Sequence, residues 1–574
     1  MRSGVRKIRL EGDARQIYRK IVREIESRLS IGKSRVSLLK LRDERGILEF
    51  QNWLKSLPYI SGRSPLSEPE LSVRADGRAV YVEREFGERW GDKLRNLGFI
   101  VETDERGLSV SISGFPVRID SSNEVEEYLN SGNDFGVLSV LCPEKVVEKV
   151  IEEKNRLLSV ARMLEKAGKD AEAIKFIVSE AEKAEEYFNR LGEVEMIEEL
   201  VAGELLRLNE RIEQKVSDFE VTIRGKNILD VMRGDVSGIG LEEVENFIAE
   251  QVMESEEKLE KMTGVDFTGL FYPKYPVEVD EKRLERIVEE AEREAKLELY
   301  ERCKSVARAI TGRIDDVMAE IELARDVEFS SVVRELGNTF PLITTYTCFV
   351  RGRHLFIENP QPVTYSVGDS GIAKGRIVIL TGANSGGKTS LLELVAQIQI
   401  MGQIGLPVNA EKAWIRVFDG IYFFRKKKGV AGAGAFESAV RSFVKAVSSD
   451  GVNLILIDEF EAITEPGAAV SIIAELLRIA YEKGHYVVIV SHLGRELKEK
   501  LPFARVDGIE AKGLDENFNL IVDRQPVFGR LGRSTPELII EKMYRKARNR
   551  EEKTIFERIL DSMNDEADKA SRDG

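Results

Sequence analysis

A glycine-rich run that ends in lysine and threonine could bind phosphate groups. Residues 382–389 read GANSGGKT, which fits the pattern G-x-x-x-x-G-K-[ST]. The glycines let backbone N–H groups turn toward phosphates, and the N-terminus of a following helix adds partial positive charge. Lys388 would reach the β- and γ-phosphates, and the Thr389 hydroxyl would ligate Mg²⁺. The run predicts a site for ATP and Mg²⁺ formed by Gly382, Ala383, Asn384, Ser385, Gly386, Gly387, Lys388, Thr389 and Ser390.

An acidic pair follows an apolar run seventy residues after this lysine. The segment NLILIDEF (453–460) is typical of a buried strand and ends in Asp458 and Glu459. An aspartate at this place holds Mg²⁺, and the adjacent glutamate orients or deprotonates the attacking water. Acidic pairs after apolar runs are common, but together with the glycine-rich run this one indicates ATP hydrolysis.

A second apolar run, YVVIVSH (486–492), ends in Ser491 and His492. A polar residue at that strand end can sense the γ-phosphate, whereas His485, before the strand, is expected to be structural. The predicted catalytic residues are therefore Lys388, Glu459 and His492, and the predicted metal ligands are Thr389 and Asp458.

These residues require a strand, a loop and a helix in that order. Arg376–Leu380 is a β-branched run of the buried-strand type, and the residues after Thr389 have the apolar spacing of an amphipathic helix. A chance match in a glycine-rich turn is the alternative, and this flanking context argues against it.

Composition limits the class of protein. A chain of 574 residues is too long for one hydrophobic core, and a charged fraction of 32% favours long solvated helices or coiled coil. The cysteines are far apart in sequence and form no CxxC pair, so neither a zinc site nor a disulfide framework is suggested. The sequence lacks the unbroken apolar stretch of roughly 20 residues that a membrane helix requires, and its N-terminus does not resemble a signal peptide. We therefore expect a cytoplasmic protein.

The charge of the chain is unevenly distributed. The net charge is −14, but residues 1–60 carry 15 Lys and Arg against 7 Asp and Glu. A basic arm on an acidic body can bind a phosphate backbone, because recognition depends on the local patch. The alternative is a solvated helix face that happens to be basic.

The pattern along the chain predicts a multidomain α and α/β fold, in which long helices with coiled coil precede a P-loop NTPase domain. A family resemblance, carried by the residues quoted in the next paragraph, implies that these helices form a core and lever region and that the NTPase domain is of the ABC type. The expected domains are a basic helical segment (1–65), a small α/β module (66–140), the helical core and lever region (141–350), the ATPase domain (351–545) and a C-terminal helix with a flexible tail (546–574).

The segment from the glycine-rich run to Phe423 resembles the ATPase of the MutS family, whose following helix leads to a turn similar to Gly405–Ala410. Arg353-His354 resembles the Arg-His-Pro entry of that domain, although Leu355 replaces the proline. The runs DEFEAITEPGAA (458–469) and GRLGRSTPELIIEK (529–542) resemble the branch of MutS paralogues that lack the mismatch-reading domain. We expect no C-terminal Smr nuclease module, and we interpret Phe86-Gly87-Glu88 as a coincidental match to the mismatch wedge.

The sequence departs from the family at two places. The signature helix, which completes the partner subunit's ATP site in that family, usually begins Ser-Thr-Phe, and the matching residues here are Gly434, Ala435 and Phe436. Backbone donors of AGAGAF could replace the missing hydroxyl. Glu461 and Ile463 replace glycines that normally follow the acidic pair. The basic run 425–428 just before this loop could contact phosphates, or it could be a solvated loop.

The resemblance implies a homodimer with two composite ATP sites that gates a clamp on DNA, with branched or structured DNA in repair or recombination as the favoured substrate. One alternative is a ribosome-associated ATPase in quality control. Another is a chromosome-organising ATPase of the SMC kind, although the seventy residues between Lys388 and Asp458 leave little room for its coiled-coil insertion.

Overall fold

The computed structural model describes residues 8–62, 64–105, 107–217, 225–234, 242–382, 387–425, 433–459, 466–514, 520–532, 536–547 and 549–572. The chain forms two units. The first consists of residues 1–65 and 323–574, and the second of residues 66–322.

The first unit begins with β1 (Arg9–Gly12), α1 (Asp13–Arg28), a 3-10 helix (Gly32–Leu38) and α2 (Glu44–Ser56). The second unit contains β2 (Ala79–Val82), α3 (Arg84–Asn96), β3 (Ile100–Thr103), β4 (Ser109–Ile112), β5 (Phe115–Arg118), α4 (Ser122–Ser131), α5 (Asp134–Leu141), α6 (Pro143–Lys166), α7 (Glu172–Glu182), α8 (Glu185–Glu195), α9 (Ile197–Val216), α10 (Gly225–Met232), α11 (Glu242–Thr263), β6 (Phe271–Tyr272), β7 (Glu278–Val279) and α12 (Glu281–Thr311).

The chain returns to the first unit within α13 (Ile314–Leu336). The remaining elements are β8 (Leu342–Ile343), β9 (Thr347–Gly352), β10 (Val363–Val367), β11 (Ile377–Gly382), α14 (Lys388–Ile404), β12 (Lys412–Ile415), β13 (Gly420–Phe424), α15 (Ala433–Ser448), β14 (Asn453–Asp458), α16 (Pro466–Glu482), β15 (Tyr486–Val490), α17 (Gly494–Lys500), β16 (Arg505–Ile509), β17 (Ala511–Leu514), β18 (Leu520–Val522), β19 (Val527–Phe528), α18 (Pro536–Lys546) and α19 (Arg550–Arg572).

A seven-stranded sheet forms the centre of the first unit. Its order is β1-β13-β14-β15-β11-β16-β19, and all neighbours are parallel except β16 and β19. Both faces are covered, which explains the continuous apolar runs that mark these strands in the sequence. Val378 and Leu380 of β11 belong to the core that contains α14, whereas Ile377 and Ile379 belong to the core that contains α15 and α16.

The N-terminal segment, expected as a basic helical domain of its own (1–65), is an integral part of this unit. Strand β1 pairs with β13 in parallel, and α1 packs on α14 and β13. The apolar side chains that recur at helical spacing in α1 form its buried face; they are Ala14, Ile17, Ile21 and Ile25. Burial of each isoleucine stabilises the fold by about 1.5–3 kcal/mol. The buried carboxylate of Glu328 accepts hydrogen bonds from the N–H groups of Ser30, Ile31 and Gly32.

The second unit combines a small sheet with long helices. The sheet has the order β3-β2-β4-β5 and arises from the alternating segments that predicted strands there. Helix α12 packs on α5, α6, α7 and α8, and α11 packs on α9. Phe86-Gly87-Glu88 lies within α3. The expected helical region 141–350 is divided, since the boundary between the units falls after Glu322, inside α13.

The C-terminal tail that was expected to be flexible is helical as far as Arg572, in α19. Among the residues that the structure describes, no helix is both long and apolar enough to cross a lipid bilayer.

Candidate functional site

The glycine-rich run lies at the carboxyl end of β11. Gly382 ends this strand with a φ of +123°, and Gly387 precedes α14 with a φ of +83°. A Cβ atom on Gly382 would lie 2.2 Å from the carbonyl oxygen of Ile509, so only glycine fits there. The four residues between the two glycines, Ala383, Asn384, Ser385 and Gly386, lie outside the described part of the chain.

Lys388 is the first residue of α14 and its side chain is buried. Its Nζ donates a hydrogen bond to the carbonyl oxygen of Gly382 at 2.6 Å. A buried ammonium needs acceptors, and here the acceptor is the residue that opens the glycine-rich run. The positive charge of Lys388 is therefore held beside the predicted phosphate-binding run.

Thr389 and Asp458 meet at the end of the sheet. The Thr389 hydroxyl donates a hydrogen bond to Oδ2 of Asp458 at 2.7 Å. The other carboxylate oxygen, Oδ1, is buried and has no hydrogen-bond partner among the described residues. Hydroxyl and carboxylate oxygens are ligands that Mg²⁺ prefers, so this pair fits the predicted metal. The described residues contain no group of three or more His, Cys, Asp or Glu placed to hold a metal.

The electrostatics of Asp458 agree with a cation site. Burial raises the pKa of its carboxyl group, and the adjacent Glu459 carboxylate raises it further. The hydrogen bond from Thr389 and the charges of Arg425 and Lys388 act in the opposite direction but do not outweigh burial. The ionised form of Asp458 is thus costly without a cation and would be stabilised by one.

The acidic pair and the second polar strand end lie side by side. Asp458 in β14 is in register with Val490 in β15, so the residues that follow both strands reach the same edge. Glu459 has a φ of +49°, a left-handed conformation that is uncommon outside glycine and that occurs more often at functional sites. Nε2 of His492 lies 3.6 Å from Oε1 of Glu459.

The remaining polar residues near these strands are turned inward. Ser491 is fully buried, and its hydroxyl accepts a hydrogen bond from the Leu493 N–H. His485 is buried as well, with its ring nitrogens 3.0 Å from the Val447 carbonyl oxygen and 3.3 Å from the backbone nitrogen of Asn453. Burial lowers the pKa of His485, as a neutral, structural histidine requires. Of these polar residues, His492 is the one whose side chain lies near Glu459.

A pocket that the sequence did not reveal lies beside Gly387 and the first two turns of α14. Its lining includes Ile357, Pro360, Gln361, Val363, Ser390 and Arg524. A Cβ atom on Gly387 would lie 3.6 Å from Cδ of Arg524. Oε1 of Gln361 accepts a hydrogen bond from the backbone N–H of Arg524 at 3.3 Å. The two residues are 163 positions apart and follow no local pattern, so only folding brings them together.

The segment 529–532, which carries part of the family resemblance, packs on the end of β11. The Gly532 N–H donates a hydrogen bond to the Thr381 hydroxyl at 2.8 Å. A Cβ atom on Gly532 would lie 2.9 Å from Cα of Gly382. This close approach of two backbones requires glycine and supports the strand end that presents the glycine-rich run.

The predicted signature residues lie in the first turn of α15. Gly434, Ala435 and Phe436 are helical there, and their side chains are outside what the structure describes. The departures Glu461 and Ile463 fall in 460–465, also outside the described residues. The role of these residues at a partner's ATP site stays a prediction.

The basic residues of the N-terminal segment divide into two groups. Some are used inside the unit: Arg35 pairs with Asp326, and the Arg42 guanidinium lies 3.8 Å from the Phe50 ring centroid. Arg19 and Arg23 are exposed on α1, four residues apart and therefore on one face. These two arginines are free to contact a phosphate backbone from one face of α1.

Comparison with known proteins gives one match over nearly the whole chain and others over parts of it. No family model matches it. It is 40% identical to DNA-binding protein MutS2 of Pyrococcus furiosus over 578 aligned positions. This alignment covers 96% of this chain and 99% of that protein. Endonuclease MutS2 of Enterococcus faecalis is 26% identical over 35% of this chain and 25% of its own length. DNA mismatch repair protein MutS of Thermus thermophilus is 26% identical over 44% of this chain and 30% of its own length.

Proposed function

The chain belongs to the MutS family, in its MutS2 branch, and from that premise we propose that it hydrolyses ATP to control a dimeric clamp on DNA. The observation that carries the proposal is the contact between Thr389 and Asp458, with Oδ1 of Asp458 left without a partner among the described residues. When bound there, Mg²⁺ would neutralise charge that develops on the phosphate oxygens.

Three side chains then have distinct roles in hydrolysis. The ammonium of Lys388 balances the charge of the β- and γ-phosphates. The Glu459 carboxylate orients the attacking water and accepts its proton. His492, next to Glu459, donates a hydrogen bond toward the γ-phosphate and so senses whether it is present.

The pocket beside Gly387 is suited to the base of ATP. Ile357, Pro360 and Val363 offer apolar surface to a planar ring, and a guanidinium such as that of Arg524 can stack on it. The pocket adjoins the N-terminus of α14, where the phosphates would lie. One bound nucleotide could therefore occupy both places.

DNA is the polymer that we propose for the clamp. The relative that matches over its full length is named a DNA-binding protein. The exposed arginine face of α1 supplies phosphate contacts, and the helices of the second unit would supply the clamp. We propose that the DNA is branched or otherwise structured, in repair or recombination, and that each ATP site is completed by α15 of the partner subunit.

The test compares binding of the purified protein to junction DNA, linear duplex DNA and ribosomes, each with and without ATP. We expect the tightest binding to junction DNA and a change in affinity when ATP is added. Preferential binding to ribosomes would favour a role in ribosome quality control over a role in DNA repair. ATP-independent binding to every polymer would contradict the gated clamp.

A further inference from the structure

Cationic and aromatic side chains alternate on the surface of the first unit, at the C-terminal end of α2. Nζ of Lys55 lies 5.0 Å from the ring centroid of Phe340. The guanidinium carbon of Arg334 lies 5.9 Å from that centroid and 5.0 Å from the ring centroid of Tyr59. These four residues are called the α2 patch below. All of them belong to the first unit, although they come from three separate segments of the chain.

Arg334, on α13, is fixed by the backbone at the end of α2. Its Nη2 donates hydrogen bonds to the carbonyl oxygens of Leu54 at 2.6 Å and Leu57 at 3.3 Å. The last carbonyl groups of a helix lack intrahelical partners, so a cationic donor stabilises them. Both acceptors are uncharged, and Arg334 therefore keeps its full positive charge at the surface.

The charges of the α2 patch are not neutralised by ion pairs. Within the described part of the chain, Lys55 and Arg334 contact aromatic rings and backbone carbonyl groups, and no carboxylate pairs with either of them. Lys55 is exposed. Glu335, the carboxylate next to Arg334 in the chain, has a contact of its own. Two cations without an ion-pair partner favour a negatively charged ligand.

The Tyr59 ring is open to solvent but held in place. The residue is 57% exposed, so the guanidinium of Arg334 covers only part of its surface. Pro58 restricts the backbone before it, and the Ile60 N–H after it donates a hydrogen bond to the buried Ser331 hydroxyl at 2.9 Å. A ring with a fixed backbone loses little conformational entropy when a ligand covers it.

The apolar surface of the patch continues beyond Phe340. Side chains alternate in an extended segment, and Phe340 and Leu342 face outward while Pro341 between them is buried. Leu342 is 62% exposed. The Gln51 side chain on α2 donates a hydrogen bond to the Pro341 carbonyl oxygen at 3.1 Å, which fixes this segment beside the helix. The open rings and the two cations are thus carried by a rigid surface.

This combination is suited to nucleic acid whose bases are unpaired. Proteins that bind single strands place aromatic side chains where bases stack and cationic side chains where phosphates pass. The bases of a paired duplex are stacked on one another, so their faces are not accessible to a tyrosine ring. An apolar peptide could cover the rings but would leave both cations without a counter-charge. The observations therefore favour a strand that carries both planar bases and phosphates.

We propose that the α2 patch binds unpaired bases of DNA, with the Tyr59 ring stacked on a base and with Lys55 and Arg334 in contact with the flanking phosphates. The inference rests on the proposed function, because structured DNA offers such bases, and it names the feature of that DNA which this surface binds.

Equilibrium binding tests the role of the ring. The probes are a duplex with a central run of unpaired thymines and a fully paired duplex of the same length. We expect Tyr59→Ala to weaken binding to the first probe by about tenfold and to leave binding to the second unchanged, since one stacked base has an effect of this order. Tyr59→Phe keeps the ring and should bind as the wild type does. Equal affinity of Tyr59→Ala and the wild type for the unpaired probe would overturn the inference.

Tyr481→Ala is the matched control. Tyr481 is also a partly exposed tyrosine of the first unit, but the Arg376 guanidinium and the Phe503 ring each lie 4.2 Å from its ring centroid and cover it. Its loss should not change binding to the unpaired probe. A decrease as large as that of Tyr59→Ala would show that the effect is not specific to the α2 patch and would overturn the inference. Thermal melting of both variants checks that they are folded.

Salt dependence separates the cation from the ring. Lys55→Gln should lower the slope of log K against log salt for the unpaired probe by about 0.7, as the loss of one phosphate contact on a single strand does. Tyr59→Ala removes no charge and should leave this slope unchanged while the affinity falls. An unchanged slope for Lys55→Gln would contradict the phosphate contact.

Photochemical crosslinking tests the contact in the wild-type protein, without any substitution. A probe with 5-iodouracil in place of the unpaired thymines should crosslink to the peptide that contains Tyr59, identified by mass spectrometry. Crosslinks confined to other peptides would overturn the inference. Tighter binding to the same probe made of RNA would overturn the choice of DNA.

Failure of the proposed function would have a different result. A wild-type protein that binds neither duplex would contradict the DNA clamp and the inference together. A wild-type protein that binds both duplexes equally well would leave DNA binding standing and overturn only the preference for unpaired bases.

Discussion

The Thr389 hydroxyl lies 2.7 Å from Oδ2 of Asp458, although 69 positions separate the two residues in the chain. The contact forms because α14 starts at the edge of the sheet where β14 ends, as the carboxyl ends of parallel strands share one edge. It places one hydroxyl and one carboxylate where a hard cation prefers oxygen ligands, with Oδ1 of Asp458 free of any partner in the described residues.

Replacement of Glu459 by Gln should separate ATP binding from turnover. The amide cannot accept the proton of the attacking water, whereas the residues around the phosphates are unchanged. We expect kcat to fall by about 10²–10³-fold with nearly unchanged ATP affinity, measured by phosphate release and equilibrium binding. A steady-state rate equal to that of the wild type would contradict the role of Glu459.

Asp458→Asn should stabilise the nucleotide-free protein while abolishing Mg²⁺-dependent hydrolysis. Because the folded state raises the pKa of Asp458, it binds this proton more tightly than the unfolded chain does. The ionised carboxyl therefore destabilises the fold above both pKa values, and this cost disappears as the pH falls through the folded value. We expect a Tm increase on the order of 2 °C at pH 8 that shrinks at acidic pH. A lower Tm for the variant at pH 8 would mean that burial does not dominate at this carboxyl.

Arg524→Ala tests the pocket beside Gly387. Loss of the guanidinium removes a group that can stack on the base, worth on the order of 1 kcal/mol, so KM for ATP should rise by about 5–10-fold. The value of kcat should change less, because Arg524 contacts the pocket and not the acidic pair. The control is Arg530→Ala, which removes an arginine whose side chain is 57% exposed and pairs with Glu510. Equal KM values for both variants and the wild type would exclude a nucleotide at this pocket.

The exposed face of α1 offers a direct test of DNA binding. Deleting residues 1–60 is unsuitable, because it would remove buried side chains such as Ile21 from the core of the first unit. Arg19→Gln combined with Arg23→Gln leaves that core intact and should lower the slope of log K against log salt by about 1–2, as two phosphate contacts would. An identical salt dependence would place the DNA contacts on another surface, with the helices of the second unit as the next candidates.

Gly434→Trp tests the shared ATP site. A bulky side chain in the first turn of α15 would crowd the backbone donors that replace the missing hydroxyl, and we expect hydrolysis to fall by at least about tenfold, whereas Gly434→Ser should be tolerated. Mixed with Lys388→Ala chains, the Gly434→Trp chain keeps a functional P-loop and receives an unaltered signature helix, so activity should return. If subunits exchange and the mixture remains inactive, the two sites are not shared or must fire together.

The strand, loop and helix around Lys388 could be predicted because they follow one another directly in the sequence. A β-branched strand, a glycine-rich turn and a helix are consecutive in the chain, and the spacing of their residues is set by the geometry of each element. The helix is not amphipathic as expected, because α14 is buried on all sides from Leu391 to Ile404 except at Glu393. The acidic pair and Ser491-His492 could also be located, because they end apolar runs typical of buried parallel strands. The long helices of the second unit followed from their unbroken helical periodicity.

The N-terminal segment shows why the remainder could not be predicted. The apolar spacing in α1 indicated a buried face, but not that this face would pack on α14 or that β1 would pair with β13, more than 400 residues away. The positive charges there suggested either a phosphate-binding basic arm or a solvated helix face. The hydrophobic effect is not directional, so an apolar helix face can be buried against any apolar surface. The surface that it contacts is set by how the rest of the core folds.

The sequence by itself determined the family resemblance, the strand–loop–helix unit around Lys388 and the candidate residues for ATP and Mg²⁺, since these depend on residue type and short spacing. Tertiary structure alone decided that Thr389 meets Asp458, that Arg524 and Gln361 flank Gly387, and that Arg334 lies beside Tyr59 and Phe340. Each of these contacts depends on which strand lies beside which and on the exact register of helix on sheet. Those relations arise from close packing of the whole core, where side chains distant in sequence must fill one another's space.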